Sequence, residues 1–133
     1  MGVFIDSGYI IALANKTDIY HKKAIEVSEL IKDGELGSIY TSNYIFDEVV
    51  THMMARQSHE TAVKAGNAIL NSEIGMLEVT QSQFIESWQL FKEKQNMSFT
   101  DCTTVKLMEE NNIKNIVTFD KGFKQFKPIN VLG

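Results

Sequence analysis

Among the 133 residues there is one cysteine, one proline, one tryptophan and a single arginine, Arg56. The lone Cys102 excludes an internal disulfide. No basic segment precedes the first apolar stretch, so nothing marks the chain for export to an oxidising compartment, and a cytoplasmic location is expected. With no repeat, no low-complexity tract and no Pro/Gly-rich linker, residues 1–133 read as one domain, large enough to bury about two thirds of the surface that the unfolded chain exposes. Long hydrophobic runs are missing too. The apolar run Tyr9 to Ala14 near the start falls far short of the roughly 20 residues that span a bilayer, so no membrane segment is expected. Positive charge is in short supply. A net charge of -4 argues against a protein that grips nucleic acid by charge alone. Several familiar site patterns are absent as well. His21, His52 and His59 have no H-E-x-x-H spacing, and there is no Cys-x-x-Cys pair, Gly-rich phosphate loop or Ser-His-Asp order.

What is present is an alternation of apolar runs and amphipathic stretches, which predicts α/β: a three-layer α/β/α arrangement with a central, mainly parallel sheet of four to five strands. Val3 to Asp6 reads as the first strand, followed by a short helix over Ser7 to Ala14. Thr17 or Asp18 can cap the next helix, with Tyr20, Ala24, Val27 and Ile31 on one buried stripe until Asp33-Gly34 ends it. Ser38 to Thr41 reads as a strand. A helix from Asn43 to Arg56 follows, capped by Ser42 or Asn43, with Ile45, Val49 and Met53 inward. Ser58 can cap a further helix to Leu70, and Ile74 to Val79 reads as a strand. Thr80 and Gln83 form a capping box for a helix ending near Asn96, in which Phe84, Trp88 and Phe91 are expected to be the core stripe rather than a base-stacking platform. Ser98 or Thr100 caps the next helix, which ends at Asn111-Asn112. Asn115 to Phe119 is a strand, Asp120-Lys121-Gly122 a turn, and Ile129 to Leu132 a last strand opened by Pro128.

Four acids stand at telling places on this frame. Asp6 closes the first strand, Asp120 closes the strand before it, Asp101 opens a helix, and Glu48 shares a helix face with Ile45 and Val49. Each also has an ordinary explanation. Asp6 can cap the helix at Ser7, Asp101 with Ser98 fits a capping box, and Asp120 suits a turn. Glu48 on an apolar stripe is costly unless paired, and His52, one turn on, is the nearest structural partner. Asp47 instead aligns with Asn43 and Thr51 on a polar face. In a right-handed parallel sheet the carboxyl ends of the strands share one edge, so Asp6, Asp101 and Asp120 are expected to converge there, with Glu48 joining them. Hydroxyls at Ser7, Thr100 and Thr118 can hold the carboxylates. Oxygen-only donors that repel one another call for a hard divalent cation, Mg²⁺ or Mn²⁺, rather than zinc. Residues 1–101 carry a net -6 and residues 102–133 a net +2. Lys114, Lys121, Lys124 and Lys127 can line a phosphate path beside Asp120, or form a solvated face.

Phe4-Ile5-Asp6-Ser7, Thr41-Ser42 followed by Glu48, Ser98-Phe99-Thr100-Asp101-Cys102 and Val117-Thr118-Phe119-Asp120-Lys121-Gly122-Phe123 together resemble the PIN-domain ribonucleases. Within that group the chain is similar to the VapC-like toxin nucleases of toxin-antitoxin pairs. The resemblance spans nearly the whole chain and departs from many relatives in its single arginine. It implies a metal-dependent endoribonuclease with Asp6, Glu48, Asp101 and Asp120 as the catalytic and metal-binding acids and Thr118 as a supporting hydroxyl. Magnesium or manganese would be the cofactor, RNA the substrate, and a homodimer held by a small antitoxin the regulated form. Lys121, Lys124 and Lys127 are the candidate RNA contacts. A housekeeping RNA-processing nuclease would share every motif, and a degenerate RNA-binding or interaction domain is the non-enzymatic alternative. A phosphatase using a strand-end aspartate would be expected to show a second aspartate two residues on, where this chain has Gly8.

Overall fold

Apolar runs become five short strands: β1 (Val3–Ile5), β2 (Ile39–Ser42), β3 (Gly75–Leu77), β4 (Asn115–Val117) and β5 (Asn130–Leu132). The computed structural model describes all of residues 1–133. Between the strands lie α1 (Ser7–Ala14), α2 (His21–Ile31), α3 (Asn43–Arg56), α4 (His59–Leu70), α5 (Gln81–Glu93) and α6 (Phe99–Glu110), and a 3-10 turn (Lys121–Gln125) precedes β5. The sheet order is β3-β2-β1-β4-β5, and every neighbouring pair is parallel. In the centre, Val3 pairs with both Ile39 and Asn115, and Ile5 pairs with Val117.

Successive side chains on a strand face opposite ways, and that alternation divides the core in two. Phe4 and Ile116 pack with Ile45, Val49, Met53, Val105 and Met108 beneath α3 to α6. Val3, Ile5 and Val117 pack on the other face with Tyr9, Ala12, Ala24, Val27 and Ile31 of α1 and α2. The result is the expected three-layer α/β/α arrangement, with a sheet that is parallel throughout. No helix is long and apolar enough to cross a membrane.

Side-chain caps fix most helix starts. Ser42 Oγ accepts from the Ile45 N–H at 3.1 Å, while Asn43 accepts from Val79 N–H at 3.0 Å and ties the start of α3 to the segment after β3. Ser58 caps α4, and the Thr80–Gln83 and Ser98–Asp101 boxes open α5 and α6.

Two expectations fail. Helix α2 begins at His21 and its buried stripe at Ala24, so Tyr20 is not part of that stripe but an exposed N-cap residue that makes no side-chain cap bond. Asn15 and Asp18 spend their carboxamide and carboxylate oxygens on the N–H groups of Thr17 and Tyr20, so these residues close a loop instead of starting a helix. The aromatic stripe of α5 is core only at Phe91, which packs against the main cluster, whereas Phe84 and Trp88 are 39% and 46% exposed. The buried positions on that helix are Gln83 and Ser87. They can be buried because each is satisfied, Gln83 by donating to the Glu110 carboxylate and Ser87 by donating to the Gln83 carbonyl at 2.6 Å. The displaced rings gather with Phe99, Trp88 lying face to face with Phe91 at 5.5 Å and Phe84 edge-on to Phe99 at 5.2 Å.

Candidate active site

Strand order reverses between β1 and β4, which are neighbours in the sheet although most of the chain lies between them. In open parallel sheets the crevice outside the carboxyl ends of such a pair is where ligands bind. Asp6 follows β1 at this point. Its backbone is extended, one carboxylate oxygen accepts from Ser7 N–H at 2.9 Å, and the other accepts from the Thr118 hydroxyl at 2.7 Å. Thr118, just past β4, in turn accepts from Asp120 N–H at 3.0 Å, so one buried hydroxyl joins the two strand ends. Asp6 therefore does sit at a helix start, and the same carboxylate also faces the site.

Glu48 comes from α3, half-buried, and its Oε1 accepts from the Ser7 hydroxyl at 2.5 Å. His52 makes no hydrogen bond or ion pair with it. The partner that allows an acid on this apolar stripe is 41 residues away in sequence, and no local pattern announces it. Asp101 occupies the third position of α6 and accepts weakly from Ser98 N–H at 3.4 Å through Oδ2. Asp120 caps the 3-10 turn, its Oδ1 accepting from Gly122 N–H at 2.8 Å. Asp101 and Asp120 meet side chain to side chain, a contact that favours a proton on Asp101, and no N–H or hydroxyl of the chain donates to Asp101 Oδ1, Asp120 Oδ2 or Glu48 Oε2. Of the three hydroxyls expected to hold carboxylates, Ser7 and Thr118 do so. Thr100 does not: its carbonyl accepts from Thr103, and its hydroxyl makes no bond to an acid.

Charge accumulates here without a counter-ion. The ion pairs of the chain are Lys32–Glu29, Lys64–Glu60 and Lys106–Glu109, and none involves these four acids. Burial pushes Asp6 up from 3.8 to about 6, against the pull of its hydrogen bonds to Thr118 and Ser7, with the negative charges of Glu48 and Asp120 adding to the rise. Asp101 is pushed up to about 7, by burial first and then by Asp6 and Asp120. One turn beyond Asp101, on the same helix face, Thr104 is fully buried, and its hydroxyl has no partner.

No three His, Cys, Asp or Glu side chains stand close enough together to hold a metal ion among them. The residues fit an open site for a hard cation. Mg²⁺ keeps several waters and binds through one or two carboxylates, and the donors here are all oxygen, with no basic side chain within 4.0 Å of any of the four acids. Zinc, which favours a closed tetrahedral set of nitrogen and sulfur, does not suit them.

The lysines divide. Lys121 and Lys124 line a hollow of about 340 Å³ that includes Asp120 and Thr118. Lys114 precedes β4 and so stands at the opposite edge of the sheet, and Lys127 does not line the hollow. Tyr20 and Lys23 of the α2 segment do line it. Neither is singled out by the sequence, where Tyr20 continues a helical stripe and Lys23 is one of a solvated pair.

A parallel sheet of this order with an acidic crevice at its switch point places the chain among the open α/β proteins, whose ligands bind outside the carboxyl ends of the strands. The family model of the PIN domain matches residues 3–127, and the chain belongs to that family. Its structure is VapC-like. The crystal structure of VapC20 from Mycobacterium tuberculosis, described as a sarcin-ricin loop cleaving toxin, superposes with a TM-score of 0.82 at 25% identity, over 92% of this chain and 93% of that one. The same fold is seen at 14% identity in VapBC2 from Rickettsia felis bound to a fragment of promoter DNA (TM-score 0.72, 99% of this chain and 98% of that one). It recurs at 15% identity in VapBC-1 from nontypeable Haemophilus influenzae (TM-score 0.72, 99% and 97%). Among curated proteins, none matches the chain in sequence.

Proposed function

We propose that the chain is a Mg²⁺- or Mn²⁺-dependent endoribonuclease and the toxin of a toxin-antitoxin pair. The observation that carries this reading is the convergence of Asp6, Glu48, Asp101 and Asp120 at the sheet's switch point with no basic residue paired to any of them. Unneutralised carboxylates in one crevice are unfavourable until a cation joins them, and a cation there is what phosphodiester hydrolysis needs. When bound, the metal would lower the pKa of a water and neutralise charge on the phosphate.

The chain's own residues supply order. Ser7 holds two acids at once, Asp6 through its N–H and Glu48 through its hydroxyl. Thr118 holds Asp6 and the backbone of Asp120, so the ends of β1 and β4 move as one. Asp101 Oδ1 and Asp120 Oδ2, which accept from no N–H or hydroxyl of the chain, are the oxygens open to ligation or, on whichever of the two acids is ionised, to receiving the proton of the attacking water.

Two features support protein partners. The α5 face with Phe84, Ile85 and Trp88 exposed is apolar surface that suits a homodimer contact. An antitoxin that inserts an arginine or lysine among the four acids would displace the cation and pair with the carboxylates. An apolar hollow of about 270 Å³ between α1 and α4, lined by Leu13, Ala14, Ala65 and Ala68 among others, offers such a partner a further hold.

Induced expression of the chain in a bacterial host should arrest growth, expression of Asp6→Asn should not, and co-expression of the small open reading frame beside its gene should relieve the arrest. RNA recovered from arrested cells should carry new internal ends. Normal growth from soluble protein that cleaves RNA in vitro would assign the chain to housekeeping RNA processing. No cleavage of any RNA with Mg²⁺ or Mn²⁺ would overturn the enzymatic reading.

A further inference from the structure

The hollow beside Asp120 brings unpaired lysines together with a stacked pair of aromatic rings. Three ammonium groups, Lys23 from α2 and Lys121 and Lys124 from the 3-10 turn, line it, and none has an acidic partner within 4.0 Å. A ring stack forms its wall: Tyr20 lies on Phe119 with centroids 4.6 Å apart and planes 10° from parallel, and Tyr20 remains 45% exposed. The stack is anchored from both sides. Phe119 sits between Thr118 and Asp120 of the acidic site, and the Tyr20 N–H is held by Asp18 at 2.8 Å. The volume, about 340 Å³, falls within the range of small-ligand pockets, about 300–1,000 Å³.

We propose that this hollow is a subsite for one nucleotide of the RNA strand, adjoining the scissile phosphate, with its base extending the stack on Tyr20 and its phosphate among Lys23, Lys121 and Lys124. The inference rests on the ribonuclease reading and names where that substrate is held. Charge complementarity decides the occupant. On a chain of net charge -4, an unpaired cluster of lysines favours an anion, and a phosphodiester strand with one phosphate at the lysines can bring the next to the acids once a divalent cation neutralises them. A bare inorganic anion would make no use of the ring stack. An unpaired nucleobase would, because every base has a face to lay on an aromatic ring. Lysines grip as point charges without the fixed fork of arginine, so the subsite tolerates varied phosphate orientations and reads an unpaired base rather than a sequence.

The test is steady-state cleavage of a single-stranded RNA by the full chain with Mn²⁺, with melting temperatures recorded for every variant. Tyr20→Leu should raise KM by about 5- to 150-fold, the range for one stacked base, with kcat little changed, and Tyr20→Phe should recover most of that loss. Substrates made abasic at single positions around the cut should locate the stacked nucleotide. At that position the abasic strand should erase the difference between the unaltered enzyme and the Tyr20→Leu variant. Lys23→Gln with Lys124→Gln should raise KM and flatten its salt dependence by about 0.7 in log–log slope, one phosphate contact on a single strand. KM and salt slope indifferent to Tyr20, Lys23 and Lys124 in an active enzyme would overturn the subsite and leave the ribonuclease reading standing. A Tyr20→Leu penalty equal on intact and abasic strands would make Tyr20 structural and overturn the base contact. A wild-type chain that cleaves no RNA would remove both readings together.

Discussion

Asp6→Asn should reduce metal-dependent RNA cleavage by at least about 100-fold, the scale of the several kcal/mol that a metal ion supplies to such a reaction, while the protein remains folded. Glu48→Gln, Asp101→Asn and Asp120→Asn should fall in the same range. Ser7→Ala and Thr118→Val, which leave the acids in place but untie Glu48 and Asp6, should cost about 10- to 100-fold. The stability readout separates a site residue from a cap. A lost cap costs about 0.5–2 kcal/mol. Asp6, raised from 3.8 to about 6, is ionised at pH 8 at a cost to the metal-free fold of about 3 kcal/mol, so its neutral replacement should melt at the same temperature or higher. Asparagine can still accept from Ser7 N–H, and the Thr118 hydroxyl can turn to accept from the new amide. Asp47→Asn, exposed and bonded only to Thr51 at 3.4 Å, should cleave like the unaltered chain. Full activity in Asp6→Asn, or a clear drop in its melting temperature in EDTA, would remove Asp6 from the site.

In EDTA the melting temperature should fall between pH 5 and pH 8, and Mg²⁺ or Mn²⁺ should reverse that fall. Asp6 and Asp101 both have folded values above the unfolded 3.8, near 6 and near 7. Below pH 3.8 they are protonated in both states and their contribution is fully present. Above it the native state holds protons that the unfolded chain has released, and stability is lost as the pH rises through 6 and 7. The cation binds the ionised carboxylates, so its affinity should rise across the same window. At 100 times its dissociation constant it would add about 2.7 kcal/mol, roughly 10 °C for a chain of this size. A melting temperature that climbs from pH 5 to pH 8 in EDTA would refute the crowding of these acids. Indifference to both metals would refute the cation site in the free protein.

Much of this fold is legible in the sequence because its signals are local. Strand runs such as Val3-Phe4-Ile5 are apolar on both faces, and the caps at Ser42, Ser58, Thr80 and Ser98 stand next to the helices they start. The acids at strand ends are visible for the same reason. What the sequence hides depends on partners far along the chain. Glu48 is accommodated by Ser7, and Gln83 displaces the aromatic stripe of α5 only because Glu110 waits 27 residues on. Asp18 misleads in another way. An aspartate that caps a helix and one that closes an Asx turn are the same residue in the same kind of context, and only the backbone that follows tells them apart. The ring stack of Tyr20 on Phe119 joins positions on opposite sides of the molecule's topology, and neither carries any local mark of it.

The bond from Thr118 to Asp6 spans 112 residues, nearly the whole chain. During synthesis Asp6 precedes Thr118 by those 112 residues, so at about 5–20 residues per second the crevice stays half-built for several seconds at least. The outermost strand, β5, pairs only with β4, on the far side of β4 from β1, and follows β4 in the chain. A chain that stops short of Thr118 therefore lacks the bond that ties the end of β1 to the end of β4.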